Sequence, residues 1–388
     1  MKVLHIVPSY YPATIYGGPI FSIHFANKEL AKQGVQIFVS TTNANGNCKL
    51  DVSTSEIVMF SENYKVRYYN ETLVGIFSLP FSMHISNDID RNELVHLHDI
   101  FSLHAVLSIF LCAIKKKKII ISPRGVFSKW ALTSKKRWLK RLWIAWFIRP
   151  FSNNAFWHAT SNIEKIDILS LFPNSKVYVI PNGIDIEEYQ SVSRLTREQY
   201  MNSFCPTLEK NQRVIVSMGR LHQVKGFFLL VKAFFLLLNE VPNLKLLIAG
   251  KDDGIGMELE KMIKELGLCN NVFLLGEIKG EKKVHLMKGA DLFALTSYSE
   301  NFGNVYLEAM ASGVPILASI GTPWKDIENF DCGKCVDFNV VNIKNAMKDI
   351  LSGDLNKLRH SSIKYATKFD WHKTGSDFQS IYKGIINE

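Results

Sequence analysis

Residues 292–310 read LFALTSYSENFGNVYLEAM. Four apolar residues, Leu292–Leu295, give way to a polar loop, and a helical stretch begins at Gly303. A short, near-continuous apolar run is how a strand buried on both faces reads, and such strands belong to parallel sheets covered by helices. A strand passing through a polar loop into a helix therefore predicts one βα unit of a doubly wound sheet.

The alternation extends in both directions. Apolar runs at Val214–Met218, Leu244–Ala249, Val272–Leu275 and Pro315–Ala318 accompany Leu292–Leu295 in the second half. Val3–Val7, Val35–Val39, Leu94–His98, Ile119–Ser122, Phe156–Thr160 and Val177–Ile180 form a matching series in the first. Between Pro181 and Gln212 the pattern turns polar and helical before a fresh strand starts at Val214. The chain of 388 residues is too long for one ordinary core. The expected architecture is α/β: two Rossmann-like doubly wound domains, 1–185 and 186–373, with a terminal helix over 374–388 packing back on the first. Ligands of open α/β sheets bind at the carboxyl ends of the strands, so two such domains facing each other would form a cleft.

Composition supports a globular reading, with 47% hydrophobic and 21% charged residues. The six cysteines are scattered; Cys332 and Cys335 form a CxxC that no second pair completes into a zinc site, so reduced thiols of a cytosolic protein are expected. The N-terminal MKVLHIVPSYYP reads as a short strand rather than a signal peptide. Ile100–Ile114, the longest apolar run, is too short to span a bilayer and is expected as a buried helix.

The net charge of +10 is unevenly placed: residues 1–185 hold 21 basic and 12 acidic side chains, the remainder 25 and 24. Ile100–Ile163 contains twelve Lys or Arg and no Asp or Glu, which points to an anionic partner for the first half only.

Two motifs carry chemistry. Strand Val214–Met218 ends in Gly219-Arg220-Leu221, followed by Lys225-Gly226. A guanidinium that binds as a fork and an ammonium acting as a point charge suit a diphosphate on one strand-to-helix loop, although two solvated surface cations would read the same way. In the 292–310 segment, Gly303 permits close backbone approach and the helix beginning there presents N–H groups and a positive dipole end to an anion. Glu300 precedes that helix and Glu308 lies in its second turn, so the two carboxylates need not share a role.

Glu300-x7-Glu308 with Ala309-Met310-Ala311-Ser312-Gly313-Val314-Pro315, together with Gly219-Arg220-Leu221 and Lys225-Gly226, resembles glycosyltransferase family 4, retaining nucleotide-sugar-dependent enzymes of the GT-B fold. The similarity extends to Gly17-Gly18-Pro19, His98, Ser122-Pro123-Arg124-Gly125, His158-Ala159-Thr160-Ser161 and Pro181-Asn182-Gly183-Ile184-Asp185. Gly321-Thr322-Pro323-Trp324 and Asp370-Trp371 resemble a bacterial branch that builds surface polysaccharides.

The resemblance implies a nucleoside-diphosphate-sugar donor and a glycan or polyprenyl-diphosphate-linked acceptor. It implies that Arg220 and Lys225 hold the diphosphate, with Gly219 and backbone N–H groups at Gly303 and Asn304 assisting beside Phe302. Glu308 would bind the ribose, Glu300 the transferred sugar, and Leu275–Ile278, including Glu277 and Ile278, would lie along the base. His98 would sit by the sugar, Gly17 and Gly18 would let the first loop approach the phosphates or acceptor, and Asn182 would join the donor set. Where the family often has glycine before the phenylalanine, this chain has Asn301, which bears on donor identity. With two protein cations on the leaving group and no DxD pair after a strand, no metal and no cofactor are expected.

Ser128–Arg149 (SKWALTSKKRWLKRLWIAWFIR), with Lys115–Lys118, interleaves Trp130, Leu132, Trp138, Leu139, Leu142, Trp143, Trp146 and Phe147 with Lys135, Lys136, Arg137, Lys140 and Arg141. A basic amphipathic helix with tryptophans predicts binding of 115–149 to the anionic inner leaflet of the cytoplasmic membrane. The competing reading packs the tryptophans into the first domain and leaves the cations solvated. Nucleic acid is not an expected partner, since no helix-turn-helix, RNP or zinc pattern accompanies the basic charge. The alternative functions are a nucleotide-sugar 2-epimerase of the same fold and a non-catalytic polyanion-binding protein.

Overall fold

The computed structural model describes residues 1–73, 77–133, 137–209 and 211–388. The chain divides into two compact units, Met1–Gly183 with Trp371–Glu388, and Ile184–Asp370. The division thus falls at Gly183 and Asp370, a few residues ahead of the expected Asp185 and Lys373.

The first unit is built on strands β1 (Lys2–Ser9), β2 (Gln36–Thr42), β3 (Val58–Ser61), β4 (Tyr64–Tyr69), β5 (Leu94–His98), β6 (Ile119–Ser122), β7 (Phe156–Ala159) and β8 (Lys176–Val179). Their order across the sheet is β8-β7-β6-β5-β1-β2-β4-β3, with every neighbour parallel except the β3–β4 pair. The chain winds outward from β1 through β2 and β4, then returns to place β5 on the other side of β1. The crevice between β1 and β5 is a topological switch point, where loops leave in opposite directions and ligands are received. β4 was not expected: YKVRYY alternates apolar with Lys65 and Arg67 instead of running apolar.

Ile100–Ile114 departs from the expectation of a buried helix. Its helix, Leu103–Ile114, buries His104, Ala105, Ser108, Ile109 and Cys112 but leaves Leu103, Phe110 and Ile114 exposed. The terminal helix Trp371–Asn387 buries Thr374, Gly375, Phe378, Tyr382 and Ile385 on one face. Gln33 docks it twice, its Nε2 donating to the His372 carbonyl at 2.9 Å and its own carbonyl accepting from Gln379 Nε2 at 3.0 Å.

The second unit holds β9 (Arg213–Met218), β10 (Leu244–Ala249), β11 (Val272–Leu274), β12 (Leu292–Ala294), β13 (Ile316–Ser319) and β14 (Gly333–Val336). All are parallel, in the order β11-β10-β9-β12-β13-β14. The winding reverses between β9 and β12, so the loops bearing Arg220 and Glu300 flank this unit's switch point. The helix Phe227–Leu238 that follows the first loop buries Phe227, Leu230, Val231, Ala233, Phe234 and Leu237 against the sheet. This anchors the loop to the core of the unit.

In the basic stretch, helices Lys129–Thr133 and Arg137–Trp143 lead into a π-helical turn, Ile144–Ile148. Ile144 and Ile148 are buried, and Trp143 Nε1 donates to the Ile100 carbonyl at 2.8 Å. Trp138 and Trp146, in contrast, are 64% and 72% exposed, with Leu139, Leu142 and Phe147 exposed beside them. Packing of the tryptophans into the first unit therefore holds for Trp143 and fails for Trp138 and Trp146. Lys135 and Lys136 lie outside the described residues. Among the described residues no helix is long and apolar enough to cross a membrane.

Candidate active site

The loop after β9 begins with Gly219 N–H donating to the Ala249 carbonyl at 3.0 Å, and Leu221 pairs with Asp252. It closes at Gly226, whose φ of 69° lies in the left-handed region. A β-carbon at 226 would meet the Thr296 carbonyl oxygen at 2.1 Å, so only glycine fits. Two further bonds clamp this loop to the one after β12: Thr296 Oγ1 donates to the Gly226 carbonyl, and Tyr298 N–H to the Val224 carbonyl, both at 2.8 Å.

Clamped in this way, Lys225 and Glu300 meet across the switch point. Lys225 Nζ lies 2.5 Å from Glu300 Oε1, and Ser297 Oγ donates to the same oxygen at 2.8 Å. The side chains are 17% and 11% exposed. Backbone bonds fix the carboxylate's base, since Glu300 N–H donates to the Gly321 carbonyl at 2.9 Å. Arg220 stands further out, 63% exposed, with its NH1 2.6 Å from Asp253 Oδ2.

Gly303, at φ 77°, caps the helix Asn304–Ala311 in the left-handed conformation. The first-turn N–H groups of that helix and its positive dipole end thus emerge beside Glu300 in the chain. Phe302 is not a ligand-facing residue. It is 5% exposed and its ring packs on Trp324 and Phe369, while its carbonyl accepts from Trp324 Nε1 at 2.8 Å. The phenylalanine therefore supports the loop from beneath.

Glu308 is held by a residue that carried no sequence signal. Lys283 Nζ, from the helix Gly280–Lys288, lies 2.8 Å from Glu308 Oε1. Tyr189 stands near the same carboxylate; burial first, then the charge of Glu308, pushes its phenol well above the usual range. Glu277 is exposed and paired with Lys279 at 3.0 Å, and Ile278 packs partly against the core of this unit. Gly219, Arg220, Lys225, Glu277, Ile278, Glu300, Phe302, Gly303, Asn304 and Glu308 thus all belong to the second unit.

Gly17, Gly18, His98 and Asn182 belong to the first. Gly17, with φ 76°, caps the helix Gly18–Lys32 just after β1. His98 ends β5 and is 2% exposed, with neither ring nitrogen open. Arg124 NH2 lies 3.2 Å from its Nδ1, and its Nε2 lies 3.0 Å from His5 Nδ1. A guanidinium can only donate, so His98 Nδ1 accepts and its Nε2–H donates to His5. Arg124 also donates to Asn182 Oδ1 at 3.3 Å.

A second chain of bonds has an equally determined direction. His158 Nε2–H donates to the Ile180 carbonyl at 2.9 Å, which makes its Nδ1 the acceptor of the Ser122 hydroxyl at 2.6 Å. Ser122 Oγ then accepts from His96 Nε2–H at 2.6 Å, and His96 Nδ1 accepts from Tyr382 OH at 2.5 Å. All four imidazoles are neutral, because burial first, and Arg124 among the neighbouring charges, hold them well below the usual histidine range. In this arrangement His98 is a buried neutral group without an open nitrogen for proton transfer. Its neighbour Asp99 adopts φ 76° and accepts from Phe101 N–H at 3.1 Å.

His5, His96 and His98 also bring three ring nitrogens within 4.8 Å, a grouping that a metal ion could use. The rings of His96 and His98 lie 4.1 Å apart between centroids and tilted by 32°, those of His5 and His98 are stacked at 5.2 Å, and every nitrogen of the three except His5 Nε2 is engaged. The arrangement is that of a hydrogen-bonded stack.

Two sequence families match the chain, and together they cover both units. Residues 17–188 match Glycosyltransferase Family 4 and residues 202–369 match glycosyl transferases group 1. The chain belongs to glycosyltransferase family 4. Among curated relatives of this family member is a D-inositol 3-phosphate glycosyltransferase of Mycolicibacterium smegmatis, 27% identical over 236 residues, which are 59% of this chain and 52% of that protein. The match thus spans about half the length of that relative. Two solved structures have the same GT-B fold. A sucrose-phosphate synthase of Thermosynechococcus elongatus aligns with a TM-score of 0.75 at 18% identity, over 100% of this chain and 99% of its own. HepE of Anabaena, solved with UDP and glucose, aligns with a TM-score of 0.73 at 18% identity, over 99% and 100%.

Proposed function

We propose that this chain is a retaining glycosyltransferase that moves a sugar from a UDP- or GDP-linked donor to a glycan or polyprenyl-diphosphate-linked acceptor in bacterial surface-polysaccharide synthesis. The observation that carries the reading is the convergence at the second unit's switch point. Lys225, Arg220 and Glu300 lie on the two loops flanking it, and the second loop leads into the helix Asn304–Ala311, which brings its N-terminus and, one turn on, Glu308.

Transfer breaks the bond between the anomeric carbon and the diphosphate oxygen and forms one from that carbon to the acceptor hydroxyl, whose proton ends on the released phosphate or in water. Negative charge grows on the leaving diphosphate, where Lys225, Arg220 and the helix N-terminus stabilise it. Glu300 lies beside Lys225, at the sugar end of that diphosphate, and Glu308 reaches the ribose, braced by Lys283. The two protein cations take the part a divalent metal would play, so activity in EDTA is expected to equal activity with Mg²⁺ or Mn²⁺.

The exposed tryptophans of 115–149, set among its lysines and arginines, support a peripheral position on the inner face of the cytoplasmic membrane, where a lipid-linked acceptor would be met. The D-inositol 3-phosphate glycosyltransferase relative and HepE, solved with UDP and glucose, add support for a nucleotide-sugar donor.

The test is incubation with UDP- and GDP-sugars and a polyprenyl-diphosphate-linked acceptor, reading product mass and released nucleoside diphosphate. Acceptor-dependent release supports transfer. Formation of a nucleotide-sugar isomer without acceptor would instead assign an epimerase.

A further inference from the structure

Lys225 already has an anionic partner. Its ammonium lies 2.5 Å from Glu300 Oε1, with both side chains largely withdrawn from water. Neither partner of such a pair is easily left alone, because an uncompensated charge in a partly buried site costs several-fold in stability or affinity. Yet the diphosphate assigned to this loop needs the same ammonium.

The second partner of Glu300 resolves the conflict. Ser297 Oγ donates to the very oxygen that Lys225 contacts, at 2.8 Å, from a fully buried position. Ser297 is itself fixed, since its carbonyl accepts from Ser319 Oγ at 2.5 Å. If the ammonium turns to a phosphate, Glu300 keeps a hydrogen bond from a donor that does not move. Arg220 stands in a parallel but looser relation to Asp253, where both side chains are exposed and exchange costs little.

We infer that donor binding exchanges the partner of Lys225, the diphosphate displacing Glu300, and that Ser297 is the positioning residue that retains Glu300 at the sugar. The inference rests on the reading of this loop as a diphosphate site. It makes Glu300 a competitor in binding and a contributor in turnover. A phosphate group with more charge than one carboxylate wins the ammonium, which favours diphosphates over less charged ligands.

Titration calorimetry with UDP, GDP and ADP on the full chain tests it, using Glu300→Gln, Lys225→Met and the double variant, with Lys225→Gln as a second choice should the methionine variant unfold. Glu300→Gln is expected to bind the preferred nucleotide roughly five- to tenfold tighter than wild type, a gain that vanishes without Lys225. Equal or weaker binding by Glu300→Gln overturns the exchange. A gain that persists in the double variant also overturns it, since a general field effect would then be the cause. If wild type binds none of the three, the diphosphate reading itself fails. Ser297→Ala is expected to lower kcat with the donor KM little changed; an equal fall in stability and binding would reduce Ser297 to a structural role.

Discussion

Thr296 holds Gly226 at contact distance: its hydroxyl donates to the Gly226 carbonyl at 2.8 Å, and its own carbonyl oxygen lies where a β-carbon at 226 would fall. This single approach sets the distance between the two loops of the second unit and so brings Lys225 to Glu300.

Gly226→Ala is therefore expected to cost at least about 2 kcal/mol, through a left-handed backbone and a forced separation of the loops. Urea unfolding measures it. Wild-type stability in the alanine variant would mean that the loops part without strain.

Lys283 braces the carboxylate assigned to the ribose without touching the reacting centre. Lys283→Met is expected to raise the donor KM roughly fivefold, equivalent to about 1 kcal/mol for a partly exposed pair, with kcat unchanged. A fall in kcat at constant KM would move Lys283 into the chemical step.

The histidine stack predicts an acid-labile first unit. His5 and His158 are lowered to about 3 and His24 and His104 to about 4, burial being the leading cause, and burial likewise holds His96 and His98 well below the usual histidine range. Unfolded histidines protonate near pH 6.5, while the folded ones stay neutral. Their stabilisation is thus complete above that pH and lost as pH falls towards 3–4. Asp167, raised to about 6 by burial and then by Glu164, works in the opposite sense and offsets part of the loss. Chemical denaturation should therefore show a marked loss of stability at pH 5 relative to pH 7, with a limiting slope below pH 6.5 on the order of 1.4 kcal/mol per pH unit for each histidine that stays neutral in the fold. A flat profile would contradict the neutral network.

Trp138 and Trp146 are the exposed apolar anchors of the basic stretch. Replacing both with serine is expected to reduce sedimentation with anionic liposomes by roughly tenfold or more and to leave catalysis of a soluble acceptor intact. Unchanged binding, or equal binding to neutral liposomes, would remove the membrane surface from the account.

Much of the fold was legible because parallel strands covered on both faces leave contiguous apolar runs. Leu94–His98, Ile119–Ser122 and Leu244–Ala249 were placed to the residue on that signal alone. Strands that escaped include β4, whose Lys65 and Arg67 break the run, β14, four residues opening with a glycine, and β3, a short and largely exposed strand at the edge of its sheet. At the site, glycines and charged residues just after strands could be read locally. Their partners could not. Lys283 reaches Glu308 from 25 residues away on an unremarkable polar helix, and Ser297 looks like any loop serine. His98 appeared as a lone polar residue at a strand end. Only the register that sets His5 opposite His96 reveals that it is buried in a stack with no open nitrogen.

Thermal unfolding with UDP, GDP and ADP tests the central claim most directly, that the loops flanking β9 and β12 bind a nucleoside diphosphate. A ligand at a hundred times its Kd stabilises the fold by about 2.7 kcal/mol. One of the three nucleotides is predicted to raise the Tm of wild type by several degrees, and the shift should disappear in Arg220→Gln/Lys225→Gln. No shift with any nucleotide, or an undiminished shift in the double variant, would contradict it.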